Sequence, residues 1–208
     1  MRQGRRNGAL AHLEENIGIY LFVTAVFTVG IIAGSLAVSL LTAEQLTELN
    51  QIFFNFLDYL TLDEPLNQTF ILQRSLMQNG IFLLLIWFCG SIFFGFILIL
   101  VGICYRGFTI GFTVGFLAQQ GALRGILFSL AAILPQNLIY VPAIIVAGAV
   151  SVSSSLFLLR SRLHKKSPAA IFMRYSALIF IIALTFAVGS LIEAMVTPVC
   201  MRVMVSFL

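Results

Sequence analysis

Charge is what this sequence has least of. Of its 208 residues, 12 are Lys or Arg and 8 are Asp or Glu, so charged side chains make up 10% of the chain, against roughly 25% in soluble domains. A water-soluble fold of this length needs a charged shell around its core, and that shell is missing. Cysteine is scarce too: Cys89, Cys104 and Cys200 are odd in number and form no CxxC pair or Cys/His cluster. That speaks against a disulfide framework and a zinc site, and the three read as buried, inert thiols. There is no HExxH, GxSxG or P-loop, and no acidic pair within an apolar run. Enzyme activity is therefore disfavoured, and no cofactor is expected. The formal charge of +4 gathers on no aromatic-rich or Gly-rich module, so no nucleic-acid partner is expected.

What is present is apolar surface. Hydrophobic residues make up 60% of the chain and the mean hydropathy is +1.05, so lipid is the expected solvent. A helix crosses the hydrocarbon in about 20 predominantly apolar residues, because every backbone polar group must be bonded internally there. The runs Ile17–Leu41, Ile81–Cys104 and Tyr175–Val199 meet this directly. Two more spans are expected near Gly107–Ile126 and Leu138–Leu159, with Gln119–Asn137 as a polar turn or partly re-entrant segment between them. The prediction is one all-α membrane domain over 1–208, a polytopic bundle of about five transmembrane helices. Its outer loop is 42–79 and its cytoplasmic loop 160–174.

Basic residues are preferentially kept in the cytoplasm. With the N-terminus inside and the C-terminus outside, Arg2, Arg5, Arg6, Arg106, Arg160, Arg162, Lys165, Lys166 and Arg174 are expected there, nine of the twelve Lys and Arg. The first run is longer than the usual 7 to 15 residue core of a signal peptide, so it is expected to remain as an anchor.

Several patterns go beyond topology. Gly107, Gly111 and Gly115 recur at i, i+4 in GFTIGFTVG, as do Gly30 and Gly34, and such stripes let helices approach closely. They fit packing within the bundle or contact with a partner, including another copy of the chain. In the outer loop, Thr42 and Gln45 form a capping box. Beyond it Leu46, Leu49, Phe53, Phe56, Leu57 and Leu60 recur at helical spacing, opposite Glu44, Glu48, Asn55 and Asp58. This amphipathic helix either packs over the span ends or docks a protein, with Glu44, Glu48, Phe53, Phe56, Asp58, Asp63 and Glu64 as candidate docking residues. Glu193, followed by Thr197 and Pro198, is an acidic residue inside a span, expensive unless protonated, paired or hydrated. Arg124 is a possible partner by depth. Pro135, Gln136, Asn137, Tyr140 and Pro142 make a polar, helix-breaking entry to the fourth span.

Two of these segments, ILPQNLIYVPAIIVAGAVS from Ile133 to Ser151 and VGSLIEAMVTP from Val188 to Pro198, resemble the best-marked motifs of the stage II sporulation protein M family. The basic N-terminus, acidic outer loop and GFTIGFTVG helix follow in the same order. Broader relatives carry Pro-His-Gly where this chain has Pro135, Gln136 and Asn137, and a Glu near Tyr140, which makes transport chemistry less expected. The resemblance implies a multi-pass protein of the bacterial cytoplasmic membrane that acts in forespore engulfment. It would anchor stage II sporulation proteins D and P, which degrade peptidoglycan. The rival expectation is a permease or channel subunit using Glu193 and a broken fourth span.

Overall fold

The computed structural model describes residues 8–61, 67–119, 122–161 and 168–205. Among them are six α-helices: α1 Gly8–Val38, α2 Ala43–Thr61, α3 Gln68–Gly90, α4 Gly95–Gln119, α5 Ala122–Ser161 and α6 Pro168–Val205. Five contain stretches long and apolar enough to span a bilayer: Asn16–Val38, Gln68–Gly90, Gly95–Gln119, Ile133–Leu159 and Phe172–Val203. The first starts at a kink, where Asn16 leaves helical geometry (φ −118°, ψ 16°). Large apolar side chains such as Leu21, Ile32, Leu84, Leu98 and Phe180 remain exposed, as expected of a surface that faces lipid.

The number of spans matches the sequence reading, but two boundaries do not. The apolar run Ile81–Cys104 is not one span: the chain turns at residues 91–94, α3 begins at Gln68 within the expected outer loop, and α4 begins at Gly95. The turn is tight and held by α5. Ser155 of α5, with no exposure to solvent, donates to the Ile92 carbonyl at 2.7 Å and accepts from the Phe96 N–H at 3.1 Å. The Ser91 hydroxyl bonds the Trp87 carbonyl at 2.9 Å. A Cβ at Gly95 would collide with the Cys89 carbonyl. The second difference lies in α5, where residues 122–137 are helical and the helix runs unbroken through Pro135 and Pro142. There is no polar turn at 122–137, and the fourth span is not broken. Proline is tolerated in a membrane helix where neighbours bond the freed groups. Here Asn137 Nδ2 donates to the Ile133 carbonyl at 2.8 Å.

The helix α5 packs against α1, α3, α4 and α6, and the α1–α4 pair is the most extensive contact in the bundle. It is a glycine seam. A Cβ on Gly30 would meet the Cys104 carbonyl, one on Gly34 the Phe108 carbonyl, one on Gly107 the Phe27 carbonyl, and one on Gly111 the Ile31 carbonyl. The two small-residue stripes therefore pack against each other within one chain, and the Gly107, Gly111, Gly115 face is not open to a second copy. In the core, Val23, Ile99, Ile103, Ile144, Ala147 and Phe186 are almost completely buried.

Outside the spans, the expected capping box starts α2: the Thr42 N–H bonds Gln45 Oε1 at 3.0 Å and the Gln45 N–H bonds the Thr42 hydroxyl at 3.3 Å. Leu46, Leu49, Phe53 and Leu57 pack down on Val38, Phe116 and Leu117, with Phe53 edge-on to Phe116 at 5.9 Å.

Candidate functional site: a polar cavity inside the bundle

The site is built from pairs of polar residues a turn apart on apolar helices. On α3, Ser75 and Asn79 are four residues apart and buried; on α6, Ser190 and Glu193 are three apart, with Ser190 fully buried. Residues at these spacings share a helix face, and both faces turn toward Tyr140 of α5. Room for the tyrosine comes from Gly189, where a Cβ would press into its ring. Phe186 backs that ring at a centroid distance of 5.4 Å.

Glu193 Oε2 accepts from the Ser75 hydroxyl at 2.6 Å and from the Tyr140 hydroxyl at 2.9 Å. Asn79 Nδ2 donates to the Tyr140 oxygen at 2.8 Å. Ser190 Oγ lies 3.0 Å from both the Ser75 and Tyr140 oxygens. The Asn79 carbonyl oxygen in turn accepts from Arg106 Nη2 at 3.1 Å, and the guanidinium lies over the Phe82 ring, 4.3 Å from its centroid. Aromatic faces attract cations most where water is scarce. The guanidinium is also within electrostatic reach of the Glu193 carboxylate. Buried polar groups are stable when each is bonded, and within this network the Ser75, Asn79, Tyr140 and Ser190 side chains are all bonded.

Beside the network is a cavity of about 350 Å³, lined by Asn79 of α3, by Arg106, Thr109 and Thr113 of α4, by Gln136, Asn137 and Tyr140 of α5, and by Glu193 of α6. Arg106 is the twelfth of the 25 residues of α4, near the middle of its span. From there the lining runs toward Thr113 and Ile133, at the end of the bundle where α4 meets α2. Past Arg106 in the other direction, Ile103, Ile99, Ile86 and Leu83 are packed and buried.

Of the residues singled out in the sequence, Gln136, Asn137, Tyr140 and Glu193 meet at this cavity. The others do not. Pro135 and Pro142 are helix-interior residues of α5, Pro198 is buried in α6, and Gly107, Gly111 and Gly115 face α1. Thr197 reaches Gln136 Oε1 at 3.4 Å. Arg124's side chain lies outside the described residues, and the cation near Glu193 is Arg106. Arg106 was expected in a cytoplasmic loop and instead belongs to a span. Ser75, Asn79 and Ser190 were missed as well, although their spacing on one face with a second polar residue was a usable signal. On α2, Phe53 points inward and offers nothing to a partner. Glu44, Glu48, Phe56 and Asp58 are exposed, and Glu44 and Glu48 line a shallow groove with Thr47 and Gln51. Asp63 and Glu64 lie outside the described residues.

A family model described as Stage II sporulation protein M matches residues 23–198. Among curated proteins and solved structures, none matches.

Proposed function

The chain belongs to the stage II sporulation protein M family, and with it to the membrane proteins of sporulation; from that premise we propose that it anchors and localises peptidoglycan-degrading partners during forespore engulfment. By the family resemblance these are stage II sporulation proteins D and P, held at the bacterial cytoplasmic membrane. The observation that carries the reading is α2. Its capping box and inward apolar face fix it on the ends of the spans, while Glu44, Glu48, Phe56 and Asp58 point away. A fixed platform that tethers two enzymes raises their local concentration without chemistry of its own.

The charge pattern gives α2 a side. In the sequence, Arg2, Arg5 and Arg6 precede the first span, Arg160, Arg162, Lys165 and Lys166 fall between the fourth and fifth spans, and Arg174 is at the start of the fifth. The preference for cytoplasmic Lys and Arg then puts the N-terminus inside and α2 outside. The test is a pull-down from membranes with Glu44→Lys, Glu48→Lys and Phe56→Ser combined. The expected result is loss of both hydrolases at unchanged abundance of the chain; retention of both ends this reading.

A second reading, passage of a solute, is favoured by the intramembrane cavity, since transporters place their sites near the bilayer midplane. Glu193→Gln separates the two. Glutamine keeps an acceptor oxygen for Ser75 and Tyr140, so anchoring survives, whereas flux in reconstituted vesicles is lost. Equal flux by both proteins would sink the passage reading.

A further inference from the structure

Arg106 and Glu193 present opposite charges to one cavity, and neither is used up by the protein. The hydrogen bond of Arg106 to Asn79 engages one of its N–H groups, of five that a guanidinium carries. Glu193 takes both of its hydrogen bonds on Oε2, which leaves Oε1 without a partner among the described residues. An ionised pair at this depth is expensive unless its remaining donors and acceptors are satisfied, by water or by a ligand.

The charges also select that ligand. A simple anion drawn to Arg106 is repelled by Glu193, and a simple cation drawn to Glu193 is repelled by Arg106. A molecule with both charges loses neither attraction. We propose that the cavity binds one small zwitterion bearing a carboxylate and an ammonium group, its carboxylate on Arg106 and its ammonium on Glu193.

The remaining lining agrees with this class. Thr109, Thr113, Gln136 and Asn137 offer neutral hydrogen-bonding groups, and Ile110, Ile133 and Ile144 a short apolar wall. A volume of about 350 Å³ is at the small end of ligand pockets, which run from about 300 to 1,000 Å³, enough for an amino acid or a short peptide. With Ile103, Ile99 and Ile86 packed beneath Arg106, the ligand enters and leaves at the α2 end. The inference rests on the cavity of the solute-passing reading but requires binding alone, not passage.

The test uses the full chain in detergent and two fragments of one probe. L-Alanine carries both charges, propionate lacks the ammonium, and ethylamine lacks the carboxylate; alanyl-alanine extends the zwitterion. The expected result is saturable binding, with a rise in melting temperature, for alanine or the dipeptide. Each fragment should bind about tenfold more weakly or worse, since a site built to bond a group discriminates against analogues that lack it. Thr113→Trp, at the mouth and outside the network, should abolish binding and leave the unliganded melting temperature unchanged. Arg106→Lys should weaken it about tenfold, because the ammonium loses the fork of the guanidinium. Absence of binding by all four probes, or propionate binding as well as alanine, overturns the proposal. Binding without flux counts against passage alone, and flux of another solute without binding of these probes overturns only the ligand class.

Discussion

The seam between α1 and α4 allows its energetics to be worked out at one atom. An alanine Cβ at Gly111 would stand 2.7 Å from the Ile31 carbonyl carbon and 2.8 Å from its Cα, against 3.4–4 Å for ordinary contact. Both obstructing atoms are backbone, so no rotamer change relieves the collision and the helices must separate by about 0.7 Å or more. A gap of that size forfeits a quarter to a half of each dispersion contact along the seam, and overpacking of this kind costs about 1–3 kcal/mol. Alanine's better helix propensity returns up to about 1 kcal/mol. Gly111→Ala is therefore expected to destabilise the chain by about 1–2 kcal/mol. Gly102→Ala is the control. Its Cβ meets Phe82 at 3.8 Å and nothing closer, so only the propensity gain remains and the variant should be neutral or slightly stabilised. At about 2–4 °C per kcal/mol for a chain of this size, thermal unfolding in mild detergent separates the two by several degrees. If both melt together, or Gly111→Ala melts higher, close backbone approach is not what holds α1 to α4.

Ser155→Ala removes the hydroxyl that bonds the α3–α4 turn, taking the acceptor from the Phe96 N–H while the Ile92 carbonyl keeps the Gly95 N–H. The expected loss is about 1–3 kcal/mol, read as a lower melting temperature with faster hydrogen exchange at residues 91–97. Tyr140→Phe deletes the hydroxyl shared by Asn79 and Glu193 while keeping the ring on Phe186. A loss of about 1–3 kcal/mol is expected, and a melting temperature equal to that of the parent chain would show that the network does not support the fold.

What the sequence made legible follows from which signals are local. The capping box at Thr42 and Gln45 is complete within four residues, and the glycine stripes within single helices, so both could be read directly. The pairing of the stripes could not, because Gly30 and Gly111 are brought together only by the fold. The start of α3 was obscured for a related reason. Its first half carries Gln68, Gln73, Arg74, Ser75, Gln78 and Asn79, of which Ser75 and Asn79 bond other helices, and hydropathy averages over all faces of a helix, so such a span looks like a loop. With that half discounted, the apolar segments on either side of Ser91 merged into one span, and the Gly90, Ser91 and Gly95 that mark the turn passed as interior residues. By the same averaging Arg106 reads as a loop cation. In α5 the effect is the reverse: Pro135 and Pro142 are strong breakers in water, but with α1, α3, α4 and α6 packed around it the helix continues through them.

These two kinds of contact divide the bundle by stiffness. Apolar packing alone gives membrane helices no solvent-driven reason to associate, so each pair needs either close backbone approach or polar bonds. The α1–α4 pair uses the first, and α3, α5 and α6, which also share the apolar core, use the second, through Ser75, Asn79, Tyr140, Ser190 and Glu193. Helix α4 belongs to both. Gly107 and Gly111 fix it on α1, while Arg106, Thr109 and Thr113 line the cavity. Moving α4 away from α1 breaks backbone contacts along the whole seam, whereas at the cavity α3 and α6 meet α4 and α5 through side-chain hydrogen bonds that water or a ligand can replace. Any rearrangement that widens the cavity is thus easiest on its α3 and α6 walls, with Arg106 as the stationary charge and Glu193 as the moving one.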